Sequence, residues 1–142
     1  MRFKMRMLHY PEQGIALQLA VEIAKSQNVD LQLVDKIPPA YNVEKERLIF
    51  IGVEGSSLKT VADFCKQLNP ERVKNVAFYA LGSKEAAVDD LRKIIEGKGI
   101  AIAGTLMLDV KGGLFKKAAL SADDIKKATE WAGGIVDSLA VN

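Results

Sequence analysis

This 142-residue sequence contains only one cysteine and one histidine. The lone Cys65 cannot form an internal disulfide bond, which favours a reducing, cytoplasmic setting, and its apolar neighbours predict a core position. The lone His9 argues against a metal site built from histidines and against a Ser-His-Asp triad, which both need further partners. We therefore predict neither metal ligands nor catalytic residues.

The sequence also lacks a long hydrophobic run and a large excess of charge. No apolar stretch reaches the roughly 18 residues that a membrane-spanning helix needs. The N-terminus alternates basic and apolar residues, unlike a signal peptide. The formal net charge is only +2, and no basic cluster is interleaved with aromatic residues. We expect neither a membrane nor a nucleic acid among the partners.

What the sequence contains is the composition of one globular domain, residues 1–142, with 49% hydrophobic and 27% charged residues. Alternating or continuous apolar segments predict five strands, at residues 2–8, 30–34, 48–51, 73–81 and 100–108. Apolar residues at helical spacing predict four helices, near residues 16–24, 58–68, 88–97 and 121–139. Ser121 and Asp124 are spaced as in a capping box at the start of the last helix.

This alternation predicts an α/β fold, a doubly wound three-layer α/β/α sandwich with a five-stranded parallel sheet. The commonest strand order at this length is 2-1-3-4-5. Pro38 and Pro39 oppose a helix between strands two and three. We therefore expect a loop, water or another subunit to cover the polar side of the first two strands. The residues concerned are Arg2, Lys4, Arg6 and Gln32.

In the order of its elements the chain resembles the flavodoxin-like family over nearly its whole length. The likeness is best in the second half, in residues 48–52 followed by a helix at Phe64, in residues 73–82, and in the last helix with Asp123-Asp124 and Glu130-Trp131-Ala132. The resemblance implies a flavodoxin-like fold, an FMN cofactor and electron transfer to a redox partner protein.

In that family the turn after the first strand, roughly Ser/Thr-x-Thr-Gly-x-Thr, wraps the FMN phosphate at the start of a helix. The loops after strands three and four flank the flavin ring. Carried onto this chain, the resemblance implies a cofactor site made of His9, Tyr10, Gln13, Gly14, Gly55, Ser56, Ser57, Gly82 and Ser83.

The first turn departs from the family pattern, since it is His9-Tyr10-Pro11-Glu12-Gln13-Gly14 and has no serine or threonine. Pro11 removes an N–H donor, and Glu12 brings a negative charge to the phosphate position. Neither loop beside the flavin ring contains an aromatic residue. Structural interpretations exist as well: Glu12 as a charge that stabilises the first helix, and Ser56-Ser57 as a helix cap.

Two functions therefore stay open. The first is FMN binding with a part in electron transfer. The second is a flavin-free binding or assembly module that uses the loop-covered face near Arg2, Lys4 and Arg6, with a homodimer as one form of assembly. A phospho-receiver domain shares the element order, but Glu54 instead of an aspartate follows the third strand. Residues 109–120 are predicted to be irregular.

Overall fold

The computed structural model describes residues 4–38, 43–110 and 120–140. Strands and helices alternate as predicted. The strands are β1 (Met5–Tyr10), β2 (Val34–Lys36), β3 (Glu46–Glu54), β4 (Val73–Leu81) and β5 (Ala101–Leu108). The helices are α1 (Ile15–Ser26), α2 (Lys59–Cys65), α3 (Glu85–Gly97) and α4 (Ala122–Ala140), with a 3-10 turn at Leu31–Leu33.

All five strands are parallel and follow the order β2-β1-β3-β4-β5, which confirms the predicted α/β fold. One apolar cluster joins α1 and α4 to one face of the sheet, and a second joins α2 and α3 to the other. This is the architecture that the flavodoxin-like resemblance implies. The strand order reverses between β1 and β3, and in such sheets the crevice beyond the carboxyl ends of those strands receives ligands.

The central strands are buried on both faces, as their continuous apolar sequences predict. In β3, Phe50 belongs to the cluster under α1 and α4, whereas its neighbour Ile51 belongs to the cluster under α2 and α3. Trp131 of α4 packs edge-on against Phe50, with ring centroids 5.7 Å apart. Cys65 lies in the core as predicted, and burial raises the pKa of its thiol to about 12.

The predicted second strand, residues 30–34, is wrong over most of its length. The side chain of Asp30 accepts a hydrogen bond from the backbone N–H of Gln32 at 2.9 Å, and this bond caps the start of the 3-10 turn. Such local side-chain bonds compete with strand formation. The strand begins only at Val34, so Gln32 lies on no face of the sheet.

The described residues of the connection from β2 to β3 pack on one side of β1. Among the described residues it contains no helix, in line with the proline-based prediction. Its Ile37 and Val43 are buried in the same apolar cluster as Leu8, and alternation along the strand places Arg6 on the same side as Leu8. Arg6 is only 7% exposed. Arg6 is thus buried on the side where a cover was expected, the exposed Lys4 donates to the carbonyl oxygen of Glu44 in this connection at 2.8 Å, and Arg2 lies outside the described residues.

The last helix begins as predicted. The backbone N–H of Asp124 donates to the Ser121 hydroxyl at 3.0 Å, and that of Ser121 donates to the Asp124 carboxylate at 3.1 Å. This reciprocal pair is a capping box. Most of the segment predicted to be irregular, residues 109–120, lies outside the described residues. Within the described ranges, no helix combines the length and the apolar character needed to cross a bilayer.

Candidate functional site

The predicted cofactor residues surround the carboxyl ends of β1, β3 and β4, beside the start of α1. At this edge Tyr10 is paired with Val53, and Glu54 with Leu81. Gly14 immediately precedes α1 with a φ of 141°, which L side chains rarely adopt. A Cβ at this position would also collide with the Glu54 carboxylate. Glycine therefore allows α1 to start directly against the end of β3.

The carboxylate of Glu54 occupies the N-terminus of α1. Its Oε1 accepts a hydrogen bond from the backbone N–H of Ala16 at 2.7 Å. The first N–H groups of a helix have no acceptor within the helix and carry a partial positive charge, so they attract anions. A phosphate bound at a helix N-terminus uses the same groups. The chain thus places its own anion where an external one would bind.

Tyr79 fixes the same residue of α1 from inside the core. Its hydroxyl is fully buried and donates to the Ala16 carbonyl oxygen at 2.9 Å. Gly52 makes room for the ring, because any Cβ there would collide with it. Burial and then the negative charge of Glu54 raise the pKa of Tyr79, so the hydroxyl keeps its proton. Side chains from β3 and β4 thereby hold both backbone groups of Ala16.

The side chains of the first turn have different surroundings. His9 is buried, and its Nδ1 lies 3.0 Å from the carbonyl oxygen of Pro11. That oxygen can only accept, so Nδ1 carries the proton and donates. Tyr10 packs against the apolar cluster under α2 and α3, whereas Gln13 is exposed. Of these three predicted contacts, Gln13 alone is exposed.

The interpretation of Glu12 as the charge at the start of α1 is wrong. Its carboxylate lies 2.8 Å from Nζ of Lys36, at the end of β2, and α1 has no acidic residue in its first turn. The hydrogen bond and the positive charge of Lys36 lower the pKa of Glu12. The negative charge at the helix comes from Glu54, 42 positions later in the sequence than Glu12.

Two serine side chains connect the loops that follow β3 and β4. The hydroxyl of Ser83 donates to the carbonyl oxygen of Gly55 at 2.5 Å. The hydroxyl of Ser56 accepts from the backbone N–H of Lys84 at 2.8 Å. The two loops that the resemblance assigned to the flavin ring therefore lie side by side and are joined to each other.

The interpretation of Ser56-Ser57 as caps of α2 is wrong. Leu58 precedes the helix, and no side-chain hydrogen bond caps it. Ser57 is exposed, as are Gly55 and Gly82, whose φ values of 68° and 66° suit glycine. The predicted residues of both loops thus lie at the rim of the crevice, and their contact with a cofactor stays a prediction.

The sequence-based prediction missed Glu54 and Tyr79, although they determine the geometry of the site. The sequence does contain a clue to Glu54, which is the first charged residue after a long buried strand next to the point where the strand order reverses. Tyr79 gives no such clue, because a tyrosine within a continuous apolar strand is indistinguishable from an ordinary core residue.

No group of three or more His, Cys, Asp or Glu side chains within the described residues could hold a metal ion. No protein-family model and no curated protein sequence matches this chain.

Proposed function

We propose that this chain is a flavodoxin-fold binding or assembly module that works without flavin. The observation that carries the proposal is the 2.7 Å hydrogen bond from the Ala16 N–H to the Glu54 carboxylate. In this arrangement Glu54 replaces the phosphate of the cofactor and stabilises the start of α1 permanently. The crevice then serves as a rigid corner of the fold instead of a nucleotide site.

Electrostatics support this proposal. A phosphate at the same helix N-terminus would meet the Glu54 carboxylate, and two like charges 4 Å apart repel by about 4 kcal/mol at an effective dielectric constant near 20. To avoid this repulsion, Glu54 would have to leave its hydrogen bond with Ala16. The turn from Pro11 to Gly14 has no serine or threonine hydroxyl that could compensate. FMN binding would thus begin with an energetic cost.

FMN binding with electron transfer to a redox partner protein is the second candidate function. It is supported by the convergence of Gln13, Gly14 and the joined loops after β3 and β4 at one edge of the sheet. These positions are the ones that the flavodoxin-like resemblance assigns to the cofactor. The two candidates differ in whether Glu54 remains at the helix when FMN is present.

An FMN titration of purified protein tests the proposal. A ligand that binds the folded state raises the melting temperature of the protein, so thermal stability reports FMN binding. We expect FMN neither to stabilise the wild-type chain nor to have its fluorescence quenched by it. The variant Glu54→Thr removes the carboxylate and adds a hydroxyl at the helix N-terminus. We expect this variant to gain measurable FMN binding.

The matched control is Glu12→Thr, which makes the same change at an exposed carboxylate paired with Lys36. We expect it to leave FMN binding unchanged. Quenching and stabilisation of the wild-type chain by micromolar FMN would overturn the proposal in favour of the second candidate. If neither Glu54→Thr nor the wild type binds FMN, the flavin-free function stands, and something other than the Glu54 carboxylate prevents FMN binding.

A further inference from the structure

The two edges of the sheet differ in how they are protected. Strand β2 forms one edge with only three residues, two of which are the charged Asp35 and Lys36. Strand β5 forms the other edge with eight residues and no charged side chain. An edge strand presents unpaired N–H and C=O groups, and natural proteins usually protect it by shortness or by charge. By these two criteria β2 is protected and β5 is not.

The side chains of β5 add apolar surface to this edge. Met107 is 39% exposed and Leu106 is half-buried. A bulge interrupts the pairing of β5 with β4 opposite Val76 and Ala77, so that Gly104 follows Ile102 in the paired register. The regular part of the strand therefore runs from residue 104 to 108, and its exposed side chain is Met107. In the part of the chain that the structure describes, no strand pairs with its outer side.

We propose that a second copy of this chain pairs with this edge, strand against strand and antiparallel, to form a two-fold symmetric dimer with one continuous sheet. A two-fold axis brings a strand against itself, so any charge near the axis would face an identical charge. Strand β5 contains no charge. An acidic or basic partner would find no complementary charge on the strand, whereas a second β5 is compatible with it.

The pleat of β5 is compatible with a register centred on Leu106. With the axis at Leu106, the middle of the regular part, Thr105 of one copy lies opposite Met107 of the other. Residues directly opposite one another in an antiparallel pair share a face of the sheet, and alternation places Thr105 and Met107 on the same face. In the paired strands, each side chain therefore stays on the same face of the continuous sheet as the side chain opposite it.

This inference rests on the proposed assembly function and names its partner and its surface. It also moves the interface away from the face near Lys4 and Arg6, since Arg6 is buried within the chain. Dimerisation through β5 does not involve Glu54 or the first turn. The oligomeric state and the FMN titration are therefore separate measurements, and a failure of one proposal is distinguishable from a failure of the other.

Sedimentation velocity over a range of concentrations, on the full chain, tests the dimer. We expect the wild type to sediment as a concentration-dependent dimer and Met107→Lys to sediment as a monomer, with dimerisation weakened roughly tenfold or more. The matched control is Leu31→Lys, because Leu31 is 50% exposed and lies beside the opposite edge of the sheet. We expect this control to dimerise like the wild type.

Circular dichroism of each variant verifies that it is folded, and hydrogen exchange provides a second measurement. We expect the amides of residues 104–108 to exchange more slowly at high concentration in the wild type, but not in Met107→Lys. A wild-type chain that stays monomeric over the whole range would overturn the proposal. A dimer that survives Met107→Lys, or that Leu31→Lys dissociates, would overturn it as well, because the contact would then lie elsewhere.

Discussion

Strand β3 begins and ends with a glutamate, and the surroundings of the two carboxylates stabilise them in different ways. Glu46, at the amino end, is 1% exposed, and its Oε1 lies 3.2 Å from Nε of Arg6 and 3.7 Å from Nζ of Lys4. Its Oε2 is buried without a hydrogen-bond partner among the described residues. Glu54, at the carboxyl end, is half-buried and contacts the backbone of α1.

The polarity of a parallel α/β sheet explains this difference. Each helix that follows a strand begins near the carboxyl edge, so positively polarised N–H groups collect there. A carboxylate at that edge, such as Glu54, can be stabilised by the backbone alone. None of the four described α-helices begins at the amino edge, and Glu46 depends on the cationic side chains of Arg6 in β1 and of Lys4 just before it. One buried carboxylate thus relies on a specific partner residue, and the other relies on the fold.

Removal of the cation is expected to have the largest effect. Arg6→Met would leave the Glu46 carboxylate buried beside an apolar side chain, and the half-exposed Lys4 would be its remaining cationic partner among the described residues. We expect the free energy of unfolding to fall by about 3–5 kcal/mol, because an uncompensated buried charge is strongly destabilising. Urea unfolding monitored by circular dichroism measures this change.

The double variant Arg6→Met with Glu46→Leu is the control for this prediction. Replacement of a whole buried ion pair by apolar residues of similar size is often neutral or stabilising, so we expect most of the lost stability to return. A double variant as unstable as Arg6→Met alone would show that Arg6 acts through packing and not through its charge. This result would contradict the conclusion that the Glu46 carboxylate depends on a specific cation.

Neutralisation of the other carboxylate is expected to cost less. Glu54→Gln keeps an oxygen acceptor for the Ala16 N–H but removes the charge from the helix N-terminus. We expect a loss of about 1 kcal/mol, the upper part of the usual range for a charge in this position. A loss as large as that of Arg6→Met would mean that Glu54 depends on a specific cation, against the argument from sheet polarity. An unchanged stability would mean that the carboxylate does not contact α1.

The fold could be predicted from the sequence because it depends on long apolar patterns. The continuous runs in β3 and β4 and the stripe of α4 predicted a parallel sheet with helices on both faces, and the strand order followed from the commonest arrangement at this length. The second strand could not be placed, since the hydrogen bond that the Asp30 side chain accepts from the backbone N–H of Gln32 favours a 3-10 turn before Val34. Such a bond between neighbouring residues leaves no periodic pattern in the sequence.

The site was harder to predict, because its decisive contacts join residues that lie far apart in the chain. A negative charge at the start of α1 was expected from Glu12, its neighbour in sequence, but comes from Glu54 across the crevice. The resemblance assigned the cofactor to loops after β3 and β4, and the fold places these two loops side by side, while their contact with a cofactor stays a prediction. It did not include the carboxylate, since that contact depends on one side chain and not on the architecture.

Replacement of Glu12 is expected to have the smallest effect on stability. It tests whether a surface carboxylate contributes less than a carboxylate at a helix N-terminus. The pairing of Glu12 with Lys36 lowers its pKa in the folded chain, so its contribution to stability is present above its ordinary pKa and is lost as the pH falls through the lowered value. Exposed ion pairs are screened by water and salt, and we expect Glu12→Gln to unfold at the same urea concentration as the wild type at neutral pH.

NMR titration should show the pKa of Glu12 below its ordinary value and nearer to it in Lys36→Gln. If Glu12→Gln destabilised the chain as much as Glu54→Gln, the position at the helix N-terminus would confer no advantage, and carboxylates would differ only in having a partner.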